Sequence, residues 1–525
     1  MILDFNEVEN GVNITADICI IGAGAAGITI ARSLIGTGLK VCLVESGGLE
    51  ANAETQALYT GEDIGRPDRF TLDVSRLRFF GGTTNHWGGW CGPLDELDFT
   101  ARDWVPFSGW PITRRDLDPY YARAHEICLL DDYTYDPDKL GLPDTPLPKF
   151  HTDKLTTRFW RYSEPALFNR HYQDELKNAD ELTVYLNANL LELTLAKNGN
   201  GISQALLSSL SGRRATVSAK IFVLACGGIE NARLLLLQNK QRQHGLCNEN
   251  DLVGRFYITH FHIVSAQIIA NDPERLGVIF SRYRKNGTHV RPAVCLSEKA
   301  QVEHKVLNFG VSIERALDPD SGFLALRDIR EELSEGEWPE DFPEKLWTVI
   351  SDLPDTVGDL YDHFAGNPYR GKVNRIDVTS HGEQAPNRDS RILLSDKRDI
   401  FGQRKVQRNW QITGLDEQTI RIGHKFLGEE LGRLNLGRLQ LHDWLLEENA
   451  AIPDEATSFA HHIGTTRMSD DPRQGVVNAD CRAHSVSNLY IAGSSVYPTA
   501  GFMNPTLTIV ALAIRLADHL KNRFA

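Results

Sequence analysis

The chain has 525 residues, 41% of them apolar and 24% charged, with a formal net charge of -14. That length exceeds one ordinary core, so two domains or one domain with large insertions is expected. The acidity repels phosphate backbones and anionic lipid and argues against nucleic-acid and membrane-surface partners.

Met1 to Ala16 carries Asp4, Glu7 and Glu9 but no Lys or Arg, so it lacks the basic start of a secretory leader. No apolar run reaches the length of about eighteen residues that a membrane span needs. The cysteines, at 19, 42, 91, 128, 226, 247, 295 and 481, form no CxxC pair. They suit a reduced set, and a cytoplasmic location is expected.

Residues 16–45 read ADICIIGAGAAGITIARSLIGTGLKVCLVE. Ile18 to Ile21 is a continuous apolar run, as for a strand buried on both faces. A glycine-rich turn follows, then a helical stretch to about Gly36, then a second apolar strand ending at Glu45. This is a whole dinucleotide-binding βαβ unit. Gly22 permits the tight turn, Gly24 lets backbone approach a pyrophosphate, and Gly27 lets helix pack on strand. Ala25 and Ala26 open the helix, whose free N–H groups and positive dipole end favour phosphate. Glu45 is spaced to accept bonds from ribose hydroxyls, with Ser46 beside it, and would repel a 2′-phosphate. FAD and NAD both remain open from this unit alone.

Further strands with glycine-rich turns follow far downstream. Ala219 to Asn231 reads AKIFVLACGGIEN and Asn488 to Pro498 reads NLYIAGSSVYP. Strands scattered this widely imply a substrate domain inserted between parts of the nucleotide domain. The division expected is 1–150, 180–260 and 455–525 for the FAD-binding domain, with 151–179 and 261–454 for the substrate-binding domain.

On these motifs, together with RFFGGTTNHWGG at Arg78 to Gly89, EQAPNRDSRILLS from Glu383 and HHIGTTRM from His461, the chain resembles the glucose-methanol-choline (GMC) oxidoreductase family. The closing TAGFMNPTLTIVALAI is most similar to the pyranose 2-oxidase branch and its bacterial relatives. The resemblance implies an α/β fold: a doubly wound Rossmann-type FAD domain with an inserted α+β substrate domain built on an antiparallel sheet. It also implies FAD-dependent oxidation of an alcohol, commonly a sugar or other polyol hydroxyl. The electron acceptor would be oxygen, a quinone or a small partner subunit.

Alcohol oxidation needs a base for the hydroxyl proton and a polar group to orient the oxygen. By resemblance His461 supplies the first and Asn504 the second. His462 is the rival base and, failing that, a substrate contact. Asn504 could instead cap the last helix. The cofactor set implied runs further through Gly81, Gly82, Thr83, Asn85, His86, Trp87, Gly88, Ala225, Asn231, Gly493, Ser494, Pro505 and Thr506. His86 stands where one branch bonds covalently to the flavin, although Gly88 replaces the Thr that follows there. Gln384 is a candidate for binding sugar hydroxyls, or a surface residue. Residues 315 to 369 read as a lid, a partner surface or a solvated excursion. His260 and His262 lie two apart without a third ligand, so no metal site is expected. Oxidation of a non-sugar alcohol and a non-redox lyase on the same scaffold are the competing readings.

Overall fold

The computed structural model describes residues 1–140, 142, 146–163, 167–285, 288–317, 321–334, 338–339, 341–365, 373–447 and 450–524. The strand Asn13–Ile21 lies between Val41–Val44 and Arg214–Leu224 and runs parallel to both. Ile18, Cys19, Ile20 and Ile21 are at most 4% exposed, as expected for a strand covered on both faces. Leu182–Leu186 and Ile2–Asp4 continue the parallel order beyond Val41–Val44. On the other side, Arg214–Leu224 pairs in parallel with Leu489–Ile491 and antiparallel with Ile202–Ser208, completing an eight-stranded sheet. Its members therefore come from both ends of the chain.

A second, nine-stranded sheet is antiparallel throughout. At its centre Phe261–Ala270, Val373–Gly382 and Phe309–Leu317 are neighbours. The helix Gly414–Arg433 packs behind them. It opens on a capping box in which Thr413 and Asp416 satisfy each other's backbone N–H groups. Ile263, Val311, Val378 and Phe426 build a separate core there. A three-stranded sheet joins Gly61–Asp63 to the hairpin Arg391–Arg398 and Arg404–Asn409.

The boundaries follow hydrogen bonding more closely than the sequence division. Trp90–Cys91 pairs with Leu155–Tyr162 in the antiparallel sheet, although it falls within 1–150. Thr457–Ser458 likewise pairs with Phe261 and His262. The helix Phe168–Asn178, inside 151–179, instead packs on Ala25–Ser33 and Leu182–Leu186. It does so because Phe168, Tyr172 and Leu176 recur every four residues and form its buried face. The two layers are clamped by Arg102 and Glu383, a fully buried bidentate pair at 2.6 and 2.9 Å.

Within 315–369, the described residues form the helices Gly322–Ser334, Phe342–Ser351 and Leu353–Ala365. Positions 318–320, 335–337, 340 and 366–369 lie outside the described residues. Among the described residues no helix is long and apolar enough to cross a membrane.

Candidate active site

The parallel strand ends and the loop Gly82–Asn85 enclose a cavity of about 570 Å³. One end begins at the first turn of the βαβ unit. Gly22 has φ of +104°, and a Cβ there would lie 2.7 Å from the Ala225 carbonyl oxygen. Gly27 is tighter still, with an added Cβ 1.8 Å from the Gly22 oxygen. Gly24 differs: nothing lies within 4 Å of its would-be Cβ. It is the N-cap of Ala25–Ser33, and no side chain caps that helix. The helix start therefore faces open space with unpaired N–H groups, which suits a diphosphate. Glu45 is 5% exposed and lines the same end.

Most of the predicted cofactor residues line this cavity. Gly22, Gly24, Ala25, Ala26, Glu45 and Ser46 are at one end, and Gly82, Thr83, His86, Trp87 and Gly88 border it. Ala225, Gly493, Ser494, Pro505 and Thr506 line it as well. Burial lowers the pKa of His86. Gly27, Gly81, Asn85 and Asn231 do not line it. Gly81 and Asn85 shape the loop: Gly81 has φ of +94°, and Asn85 Nδ2 donates to the Phe80 oxygen at 2.9 Å. Asn231 ties the turn after Arg214–Leu224 to Leu489–Ile491, accepting from Cys226 N at 2.8 Å and donating to the Ala492 oxygen at 3.0 Å.

Sequence reasoning missed a charged wall. Arg76, Arg78, Glu230 and Tyr59 also line the cavity. Both guanidinium groups lie over the Tyr59 ring, at 4.0 and 4.7 Å. Burial pushes the Glu230 carboxyl up, but Arg233, Arg78 and Arg76 outweigh it and hold it down at about 2. Arg78 and Glu230 stood inside motifs already quoted; only their contact across the fold reveals the role.

His461, His462 and Asn504 line the same cavity. The loop carrying the histidines is fastened to 258–260 by paired bonds between Ile258 and Ile463 and by Phe459 N to the His260 oxygen. Ala460, immediately before His461, takes φ of +57°, a conformation that only strong surrounding contacts sustain. His461 Nε2 lies 3.4 Å from Asn504 Nδ2. Burial, reinforced by the neighbouring His260, depresses the His461 pKa well below 6.5, so its ring is neutral at physiological pH. His462 is depressed likewise, by burial and then Arg76, and its Nε2 has no partner among the described residues. The final helix runs Thr506–Phe524, so Asn504 stands two residues before it rather than in the capping position.

Two expectations change. Gln384 is fully buried and absent from the cavity lining. Its Oε1 accepts from Thr259 N at 3.1 Å and Trp410 Nε1 at 3.0 Å, and its amide donates to the Gln411 oxygen. It is therefore committed to framework bonds. None of the described residues of 315–369 lines the cavity either. In their place Trp90 and Phe459 line the cavity together with His461 and Asn504. The Phe459 ring stacks between His381, at 4.6 Å and 12°, and His461, at 5.7 Å and 17°.

One cavity is thus lined both by a dinucleotide turn and by a neutral histidine facing an amide, an arrangement that suits a flavin-dependent oxidoreductase. The family model described as FAD dependent oxidoreductase matches residues 17–314. That model spans more than half of the chain, which belongs to the FAD-dependent oxidoreductases and acts on alcohol groups; the model described as GMC oxidoreductase matches 386–513. It is 23% identical to 2-methyl-1,2-propanediol dehydrogenase of Mycolicibacterium austroafricanum, over 97% of this chain and 96% of that protein. It is 22% identical to the fructose dehydrogenase large subunit of Gluconobacter japonicus, over 97% and 98%. A solved fungal aryl-alcohol oxidase shares the fold, with a TM-score of 0.59 at 14% identity over 98% of this chain and all of that one.

Proposed function

We propose that the protein oxidises a hydroxyl group of a sugar or glycoside to the carbonyl, with His461 as general base and Asn504 as the group that orients the alcohol oxygen. The observation that carries this reading is the 3.4 Å approach of His461 Nε2 and Asn504 Nδ2 inside the cavity that begins at Gly24. Bound FAD would supply the hydride acceptor. The hydroxyl proton passes to His461 Nε2, and the amide N–H of Asn504 stabilises charge developing on the oxygen. Gly22, Gly24, Ala25, Glu45, Arg76 and Arg78 are the residues that would hold the nucleotide part. His462 sits in reach of the same space and would contact substrate or flavin rather than serve as the base.

The sugar assignment is supported by Trp90, a half-buried indole lining the cavity that gives the C–H-rich side of a pyranose ring an apolar contact. The relative named for fructose favours the same class. The relative named for a diol keeps a non-sugar alcohol as the second reading.

The test is an anaerobic visible spectrum of the holoenzyme with free sugars, methyl glycosides and simple diols. Bleaching by a sugar or glycoside is the expected result. Bleaching by diols alone would overturn the sugar class, and no bleaching by any alcohol would favour a lyase. His461→Ala should slow flavin reduction by about two to four powers of ten, the usual size for a lost general base. An unchanged rate would move that role to His462.

A further inference from the structure

His260 has no role in the preceding assignment, yet it is the residue hydrogen-bonded to His461 on the side away from Asn504. It is 2% exposed. Its Nδ1 lies 2.8 Å from Nδ1 of His461, and its Nε2 lies 2.9 Å from the carbonyl oxygen of Gly501.

These two distances decide where every proton sits. A carbonyl oxygen can only accept, so His260 Nε2 carries hydrogen. A neutral imidazole has a single N–H, so His260 Nδ1 is bare and must accept. The hydrogen between the rings therefore belongs to His461 Nδ1, and His461 Nε2 is left bare. The opposite side gives the same answer, because Asn504 Nδ2 can only donate and faces His461 Nε2. We propose that His260 is a positioning residue which, anchored on the Gly501 carbonyl, holds His461 in the tautomer whose Nε2 is free to take the substrate proton. This rests on the reading of His461 as the base.

Burial keeps His260 itself neutral, with its pKa lowered to about 4. The anchor is also rigid. Gly501 has φ of +60°, and a Cβ there would fall 2.5 Å from Asp98 Oδ2, so the carbonyl direction depends on glycine. Once His461 has taken the proton, its Nδ1–H bond to His260 becomes charge-assisted and stronger. The opposite tautomer would point its N–H toward the substrate hydroxyl and the Asn504 amide, and could accept no proton at Nε2. The arrangement is the histidine–histidine counterpart of a carboxylate fixing a catalytic imidazole.

The test uses holoenzyme labelled with 15N-histidine, together with His260→Phe and His260→Gln. In the wild type the His461 signals, assigned by their loss in His461→Ala, should show a protonated Nδ1 and a bare Nε2. His260→Phe removes the acceptor. It should mix the tautomers and slow flavin reduction about 10- to 1000-fold, with the substrate Kd changed less than about twofold. His260→Gln restores a carbonyl acceptor and should recover much of that rate. The kinetic substrate is whichever alcohol bleaches the wild type, and the spectrum decides the question without any substrate. A protonated Nε2 in the wild type would overturn the inference, as would a normal rate in folded His260→Phe or a Gln variant no better than Phe. A slow His461→Ala beside a normal His260→Phe would remove this inference alone. A normal His461→Ala would remove the base assignment first.

Discussion

The carboxylate of Glu45 holds the glycine turn from behind: its Oε2 accepts from the backbone N–H of Ala23 at 2.9 Å, while its Oε1 accepts from Gly47 N at 3.0 Å. The residue expected from its spacing to meet the ribose is a brace between the ends of two parallel strands. Glu45→Ala should leave two buried N–H groups unpaired, at about 1–3 kcal/mol each. Part of that cost falls on the nucleotide turn, so FAD should bind about tenfold to a hundredfold more weakly. Titration of apoprotein with FAD, followed by flavin fluorescence, measures it; unchanged affinity would remove both roles.

Two glycines of the turn, Gly24 and Gly27, should respond differently to alanine. At Gly24 a methyl group enters open cavity and the backbone is extended. Gly24→Ala should therefore fold with near-normal stability as apoprotein and lose most of its FAD affinity. At Gly27 the methyl meets the Gly22 oxygen at 1.8 Å. Gly27→Ala must push the helix off the strand and should lower the apoprotein melting temperature by several degrees. Equal stability in the two variants would contradict this division of roles.

The sequence was most readable where chemistry is local. The strand, turn and helix at 18–33 follow from apolar runs and glycine spacing, and the inserted antiparallel sheet followed from the family resemblance. What escaped was set by distant partners. Nothing within 255–262 announces that His260 meets His461, because the two are 201 positions apart in the chain and are brought together only by the fold. Phe168–Asn178 was placed with the wrong layer because a helix shows which face is apolar but not what covers it. Gln384 looked like a sugar ligand because polar residues on family strands border cavities, and its side chain turned out to be spent on Thr259, Trp410 and Gln411.

That placement of Gln384 makes a prediction opposite to a binding role. Gln384→Ala abandons the buried N–H groups of Thr259 and Trp410 and opens a void. A loss of about 2–4 kcal/mol in stability is expected, with KM changed less than about twofold in the protein that remains folded. Chemical denaturation together with steady-state kinetics separates the two. A normal stability with a raised KM would return Gln384 to the substrate site.

Acid should unfold the protein through its buried histidines. His260, His381, His424, His461 and His462 are all neutral in the fold, their pKa values lowered first of all by burial, to about 4 for His260 and His424. Unfolded, each titrates near about 6.5. Below that pH the unfolded chain binds more protons than the folded one, so stability falls as pH falls. At about 1.4 kcal/mol per pH unit for each ring, the loss between pH 6.5 and 4 is large. Two buried acids act in the other direction. Burial raises Asp98 to about 8 and Asp416 to about 7, so their stabilising contribution is present at low pH and is lost as pH rises toward those values. The histidines outnumber them below 6.5; above it the acids and the buried thiols, raised by burial, outweigh the lowered Met1 amino group. Stability in excess FAD should therefore peak near pH 6.5 and decline on both sides, more steeply toward acid. His424 hydrogen-bonds Ser265 and the Ile420 carbonyl, outside the cavity. His424→Gln should flatten the acid limb by about one proton without altering the alkaline limb. Urea midpoints measured from pH 4.5 to 8.5 check this, and a profile that is level from 6.5 down to 5 would show that the histidines titrate as freely in the fold as outside it.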